Sequence, residues 1–188
     1  MAFLSSEQLE NMGFQSLGKG VLISDKASIY NPEQMTLGDH SRIDDFCVVS
    51  GRVNIGRNVH IAVFCNVAGG SEGVILHDFS GLAYGCQLFS QSDDYSGRTM
   101  TNPTVPSEYK REKKLRIEIG KHCILGACSV VFPGVNIADG TATGAMTVVN
   151  KSTESWSIYT GNPAQKVKDR KKDLLKLEQA YLSTEIGD

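Results

Sequence analysis

The stretch "LFSQSDDYSG" at positions 88–97 carries an adjacent carboxylate pair, Asp93 and Asp94. Such a pair can attract an ammonium group by charge and take a proton from an amine as it attacks. Ser, Asp and Gly also cluster in tight turns, so a loop cap is the competing reading of the same residues. Histidine is the other common proton carrier, and the chain has His40, His60, His77 and His122. His77 is followed by Asp78, which could orient its ring. His60 immediately precedes Ile61 and could face a groove. His40 and His122 read as surface residues. Downstream of the aspartates the basic run Lys110–Lys114 reads either as a solvated loop or as a contact for a diphosphate. Cys123, Cys128 and His122 do not read as a metal site, because no second Cys/His cluster completes four ligands.

These residues need a scaffold, and the strongest signal in the chain is one. Aliphatic residues recur every sixth position at Leu37, Ile43, Val49, Ile55, Ile61 and Val67. They recur again at Leu76, Leu82 and Leu88, and from Ile119 through Leu125, Val131, Ile137 and Val149, with Thr143 in step. Four positions after each aliphatic the residue is mostly small or a thiol, as in Ser41, Cys47, Cys65, Cys86, Cys123 and Ser129. A period of six suits neither an α-helix nor a two-faced hairpin sheet. It suits a short strand followed by a tight turn, with the aliphatic pointing inward. Three such units close a triangular coil, and stacked coils bury a continuous core. The sequence therefore predicts an all-β parallel β-helix over 17–163, capped by a helical segment in 1–16. The interval from about 90 to 116 breaks the period and reads as an extended loop. Residues 164–188 read as a C-terminal α-helix, with Val167, Leu174, Leu177 and Tyr181 at helical spacing.

Bulk composition is that of an ordinary soluble domain of 188 residues, with 40% hydrophobic and 21% charged side chains. A net charge of −2 gives no electrostatic pointer to nucleic acid. No apolar run approaches the roughly 20 residues of a transmembrane helix, and the N-terminus lacks the pattern of an export signal. The five scattered cysteines then read as reduced thiols in a cytoplasmic protein.

Three segments resemble the hexapeptide-repeat acyltransferases: "IEIGKHCILGACSVVFPGVNI" (117–137), "GAMTVVNKS" (144–152) and "YTGNPAQKVK" (159–168). The resemblance spans roughly 17–168 and implies that the β-helix is left-handed. It also implies a homotrimer with active sites between subunits, and acetyl-CoA as acyl donor without a metal. It assigns Gly126, Ala127, Gly144 and Ala145 to the pantetheine arm. Lys151, Pro163, Lys166 and Lys168 fall near the nucleotide of the donor. Glycines that merely make turns are the alternative for the first set. Asn66 matches a polar position near the acceptor, and His60 and Tyr95 join it as candidate substrate contacts.

In the galactoside-type members of that family a catalytic histidine lies five residues beyond the last inward aliphatic. Here that aliphatic is Leu88 and the position holds Asp93. A hydroxyl needs a strong, well-placed base to attack a thioester, whereas an amine already has its lone pair once neutral. The missing histidine therefore points to N-acetylation of a nucleotide-linked amino-dideoxy sugar, of the kind used in surface polysaccharide, with Asp93, Asp94 and His77 as catalytic candidates. Two alternatives are an O-acetyltransferase of a sugar, with His77, His60 or an aspartate as base, and a β-helix that only binds or assembles.

Overall fold

A computed structural model of the chain describes residues 2–185. The chain winds as a parallel β-helix whose coils present three faces. One face is a parallel ladder of Leu22–Ile23, Arg42–Ile43, His60–Ile61, Gly81–Leu82, Ile124–Leu125, Ala142–Thr143 and Ser157–Thr160. The second stacks the inward residues Ile29, Val49, Val67, Leu88, Val131 and Val149 in register. The third stacks Leu17, Leu37, Ile55, Leu76, Ile119 and Ile137. Val49, Val67, Leu88, Ile119, Leu125 and Val131 are completely buried. The sixfold period thus places every aliphatic column on the axis; the loop is its largest break, beside an eight-residue step from Ile29 to Leu37 and a nine-residue step from Val67 to Leu76.

Small residues fill the inner corners for a physical reason. Cys47, Cys65 and Cys123 tuck their thiols against carbonyl oxygens of Ala62, Ala83 and Ala138 at 3.0–3.1 Å. A second device recurs on alternate coils. Asp39, Asp78 and Asp139 each accept a hydrogen bond from the backbone N–H of the coil before, at Lys19 (2.7 Å), Arg57 (2.9 Å) and Lys121 (2.8 Å).

Two corners also carry side chains at left-handed backbone angles. Phe46, Phe64, Cys128 and Met146 mark the corner between the first and second faces. His40, Asn58, Phe79, His122 and Trp156 mark the one between the third and first. Each costs more there than glycine would. The geometry aligns these side chains into outward columns, with Phe46 stacked on Phe64 at 5.2 Å and Phe79 on His122 at 5.3 Å.

The N-terminal helix α1 (Ser6–Asn11) is held by a capping box between Ser5 and Gln8, and Leu9 is buried under the first coil. The loop leaves after Gln87–Phe89 and returns at Ile117–Ile119, the bounds the period predicted. Its stem is an antiparallel ribbon in which Ser92 opposes Lys113.

The expectation of one helix over 164–188 needs correction. Gln165–Asp169 is a strand that turns back antiparallel onto Ser157–Thr160, and helix α2 spans only Leu174–Glu185. The last coil would otherwise leave an open strand edge, and the hairpin satisfies it. Val167 belongs to that strand and is exposed, whereas Leu174, Leu177 and Tyr181 are on α2. The end of the expected helix, 186–188, lies outside the described residues.

Candidate active site

Both aspartates sit in the loop where the sequence placed them; Asp94 caps a tight turn, and Asp93 is bonded across the loop. Asp94 accepts hydrogen bonds from the backbone N–H of Ser96 (2.9 Å), the Ser96 hydroxyl (2.9 Å) and the Thr99 hydroxyl (3.3 Å). Those bonds, the backbone N–H of Ser96 foremost, hold its carboxyl below the usual range. It is an ionised, fixed anion at neutral pH. Asp93 accepts from the backbone N–H of Asn102 through one oxygen (3.2 Å). The turn reading thus describes Asp94 and not Asp93. Asp93, Asp94 and Tyr95 also line a cleft of about 740 Å³ together with Arg98, Arg111, Glu112 and Lys113. A smaller hollow of about 300 Å³, walled by Phe89 and Pro103, shares Asp93 and Tyr95 with it.

The histidines fall elsewhere. His77 lies at the corner between the third and first faces and bonds Glu118 through Nε2 at 2.6 Å. Asp78 does not orient it. That carboxylate faces the preceding coil and accepts from Arg57 N–H. His60 lies on the first face, where its Nε2 is 2.8 Å from the buried Asp44, itself 2.6 Å from Arg42 Nε. Burial opposes ionisation of Asp44, but the bonds from Arg42 and His60 outweigh it and keep the carboxyl below its usual range. His122 is a correction. Expected at the surface, it is 8% exposed, because α2 lies over it and Glu178 bonds its Nε2 at 2.8 Å. Asn66 points outward from the second face, opposite Val48 and Gln87 in the ladder. Within one chain, then, His60, Asn66, His77 and the aspartate pair occupy different faces and corners.

The expected donor residues gather along one corner and the end of the stack. Gly126-Ala127 and Gly144-Ala145 stand one above the other between the first and second faces. A side chain on Gly126 would meet the backbone of Gly144 at 2.5 Å, so coil-to-coil packing alone demands glycine there. Lys151 is exposed after the last strand of the second face. Pro163 occupies the turn of the terminal hairpin, and Lys168 opposes Ile158 in it. Lys166 is held by Glu154 (2.8 Å) and Asp169 (2.9 Å), which push its pKa up.

Sequence reasoning missed the apolar column outside this same corner. Phe46, Phe64 and Met146 are all exposed there, with Tyr84 beside Gly85 in the coil between. The signal was present as a bulky residue three places before the inward aliphatics Val49, Val67 and Val149 of the second face, hidden by attention to the small residues beside it. Burial pushes Cys123 up to about 12, so it stays protonated.

No known family profile matches the chain. A dTDP-4-amino-4,6-dideoxy-D-glucose acyltransferase of Escherichia coli is 40% identical over 191 aligned positions, covering 100% of this chain and 99% of that protein. Among solved structures, a mutant of AntD is similar along almost the whole chain. AntD is an N-acyltransferase from Bacillus cereus, here in complex with dTDP-4-amino-4,6-dideoxyglucose and coenzyme A. It superposes with a TM-score of 0.96 at 44% identity, covering 97% of this chain and 98% of that one. AntD bound to dTDP and 3-hydroxybutyryl-CoA gives a TM-score of 0.95 at 43% identity, over 97% of each chain.

Proposed function

Since this chain belongs to the hexapeptide-repeat acyltransferases, we propose that it transfers an acetyl group from acetyl-CoA to the 4-amino group of dTDP-4-amino-4,6-dideoxyglucose. The observation that carries the reading is the fixed carboxylate pair in the loop cleft of a chain so similar to an enzyme of that name. An amine reaches this cleft as an ammonium and is drawn to Asp93 and Asp94. Asp94 is the preorganised member, since three hydrogen bonds hold it before any ligand arrives. The ammonium sheds one proton to solvent, and the neutral amine attacks the thioester carbonyl while the carboxylate takes a second proton from its nitrogen. The C–N bond forms, the C–S bond breaks, and the thiolate of coenzyme A leaves and recovers a proton. No histidine is required in this sequence of steps.

The donor corner and the loop lie on opposite sides of the second face. That separation supports a site completed by a neighbouring copy, with the loop of one subunit reaching the Gly126 and Gly144 corner of the next. The exposed column of Phe46, Phe64 and Met146 on that corner supports the same homotrimer. Among the described residues no helix is long and apolar enough to cross a membrane. The reading places the enzyme in the cytoplasm, where acetyl-CoA is available, and its product in surface polysaccharide synthesis.

Thiol release in the presence of acetyl-CoA tests the proposal. We expect turnover on dTDP-4-amino-4,6-dideoxyglucose to exceed that on galactosides or maltose. Faster release with the plain sugars would overturn it and turn attention to the His60–Asp44 pair as base for a hydroxyl acceptor.

A further inference from the structure

The loop carries more positive charge than its own carboxylates neutralise, and the surplus is not spread evenly. Glu112 takes Lys114 at 2.9 Å and lies 3.7 Å from Lys110. Lys110 also donates to the Asn102 carbonyl at 2.9 Å. Two cations of the basic run are thus engaged in holding the loop together. Arg111 and Lys113, which lie between them in sequence, have no hydrogen bond or ion pair through their side chains among the described residues, and neither has the guanidinium of Arg98, although its charge helps hold Asp94 ionised. All three line the cleft that holds Asp93 and Asp94.

The cleft therefore presents charges of both signs. Cations without a hydrogen bond or ion pair of their own, beside a fixed carboxylate pair, suit a ligand that is positive at one end and multiply negative at the other. A 4-amino-4,6-dideoxyhexose joined to a nucleoside diphosphate has that form, since C4 bears the amine and C1, across the ring, bears the phosphate. We propose that Arg98, Arg111 and Lys113 clamp the diphosphate of the nucleotide sugar while Asp93 and Asp94 receive its amine. This deepens the function proposed above and rests on it. Arginine forks match phosphate oxygens two at a time, and the lysine adds a point charge. The clamp also fixes orientation: with the diphosphate held by these cations, the 4-amino group is presented to the carboxylates.

Calorimetric titration of the full chain with dTDP, thymidine and acetyl-CoA tests the assignment, alongside steady-state kinetics. Arg98→Ala and Arg111→Ala should each weaken dTDP binding about tenfold. KM for the nucleotide sugar should rise in proportion with kcat nearly kept. Arg111→Lys should fall between. Acetyl-CoA binding, which reports folding and the donor site, should not change, and thymidine should not distinguish parent from variants. Variants that bind dTDP as tightly as the parent would overturn the clamp and leave the proposed function standing. Variants that lose acetyl-CoA instead would move these cations to the donor and overturn it as well. A parent that acylates some other amine but binds no dTDP would bring down both readings.

Discussion

The stacked coils and the loop that interrupts them are built on opposite rules. In the coils each side chain is chosen by its place in a repeat: Leu88 lies between Val67 and Val131, and any of the three could stand in the others' setting. In the loop nothing repeats. Asp94 is held by Ser96 and Thr99, Asp93 by Asn102, and Glu112 by two lysines, each bond made once. The stack is stable because a loss at one coil is shared with its neighbours on both sides. The charges of the loop are placed individually and remain in contact with solvent, as the proposed chemistry requires. Under that proposal stability and chemistry fall to different parts of one short chain.

That division predicts that the two regions fail differently. The largest effect on folding should come from the stack. Leu125→Ala removes a fully buried side chain from the column between Leu82 and Thr143 and should cost about 3–4 kcal/mol in denaturant unfolding. Any residual folded fraction should keep its KM for acceptor. Asp94→Asn should do the reverse: kcat falls about 100-fold while the melting temperature hardly moves. A mutant that melts early, or one that keeps its turnover, would erase the distinction. Asp93→Asn should show the same pattern more weakly. A smaller effect is expected at Glu178, which bonds His122 and Lys121 from α2. Glu178→Gln should cost about 1–2 kcal/mol and leave kcat untouched.

The same carboxylate sets a pH dependence. Burial opposes ionisation of Glu178, but hydrogen bonds from Lys121 and His122 outweigh it and hold the pKa below 4.5. A depressed folded-state pKa stabilises above the unfolded value and is lost as pH falls through the folded one. Thermal stability should therefore decline as the pH is lowered beneath 4.5, and Glu178→Gln should make that decline shallower. A variant as acid-sensitive as the parent would assign the decline to Asp44, whose carboxyl is depressed in the same direction.

The coils were legible in the sequence because their rule is periodic: the columns from Leu37 to Val149 and the loop bounds follow from counting. The C-terminal segment was misread because Val167 and Leu174 are seven residues apart, a spacing that two turns of helix share with a strand followed by a linker. His122 was misread because its cover arrives 56 residues later, from Glu178 on α2. The candidate site was legible as a position: register places Asp93 and Asp94 in the loop, where they line a cleft. The pairing of His77 with Glu118 in place of Asp78 depends on which coil each side chain faces, which no local pattern records. Lys166 drew notice as a free cation, yet Glu154, twelve residues earlier, already holds it.

Helix α2 has one more consequence. A solenoid whose coils touch only their neighbours can fray from either end, one coil at a time. Here Arg170 grips the carbonyls of His122 and Gly140, Tyr181 meets Phe79 and Asn58, and Glu185 reaches Arg57 and His40. The end of the chain thus descends across coils laid down long before it. Opening the final coil tugs on that descending helix, and releasing the helix uncovers coils far below. What would be a string of loosely coupled steps becomes a circuit closed on itself, and the molecule acquires a cooperativity that its repeats alone do not possess.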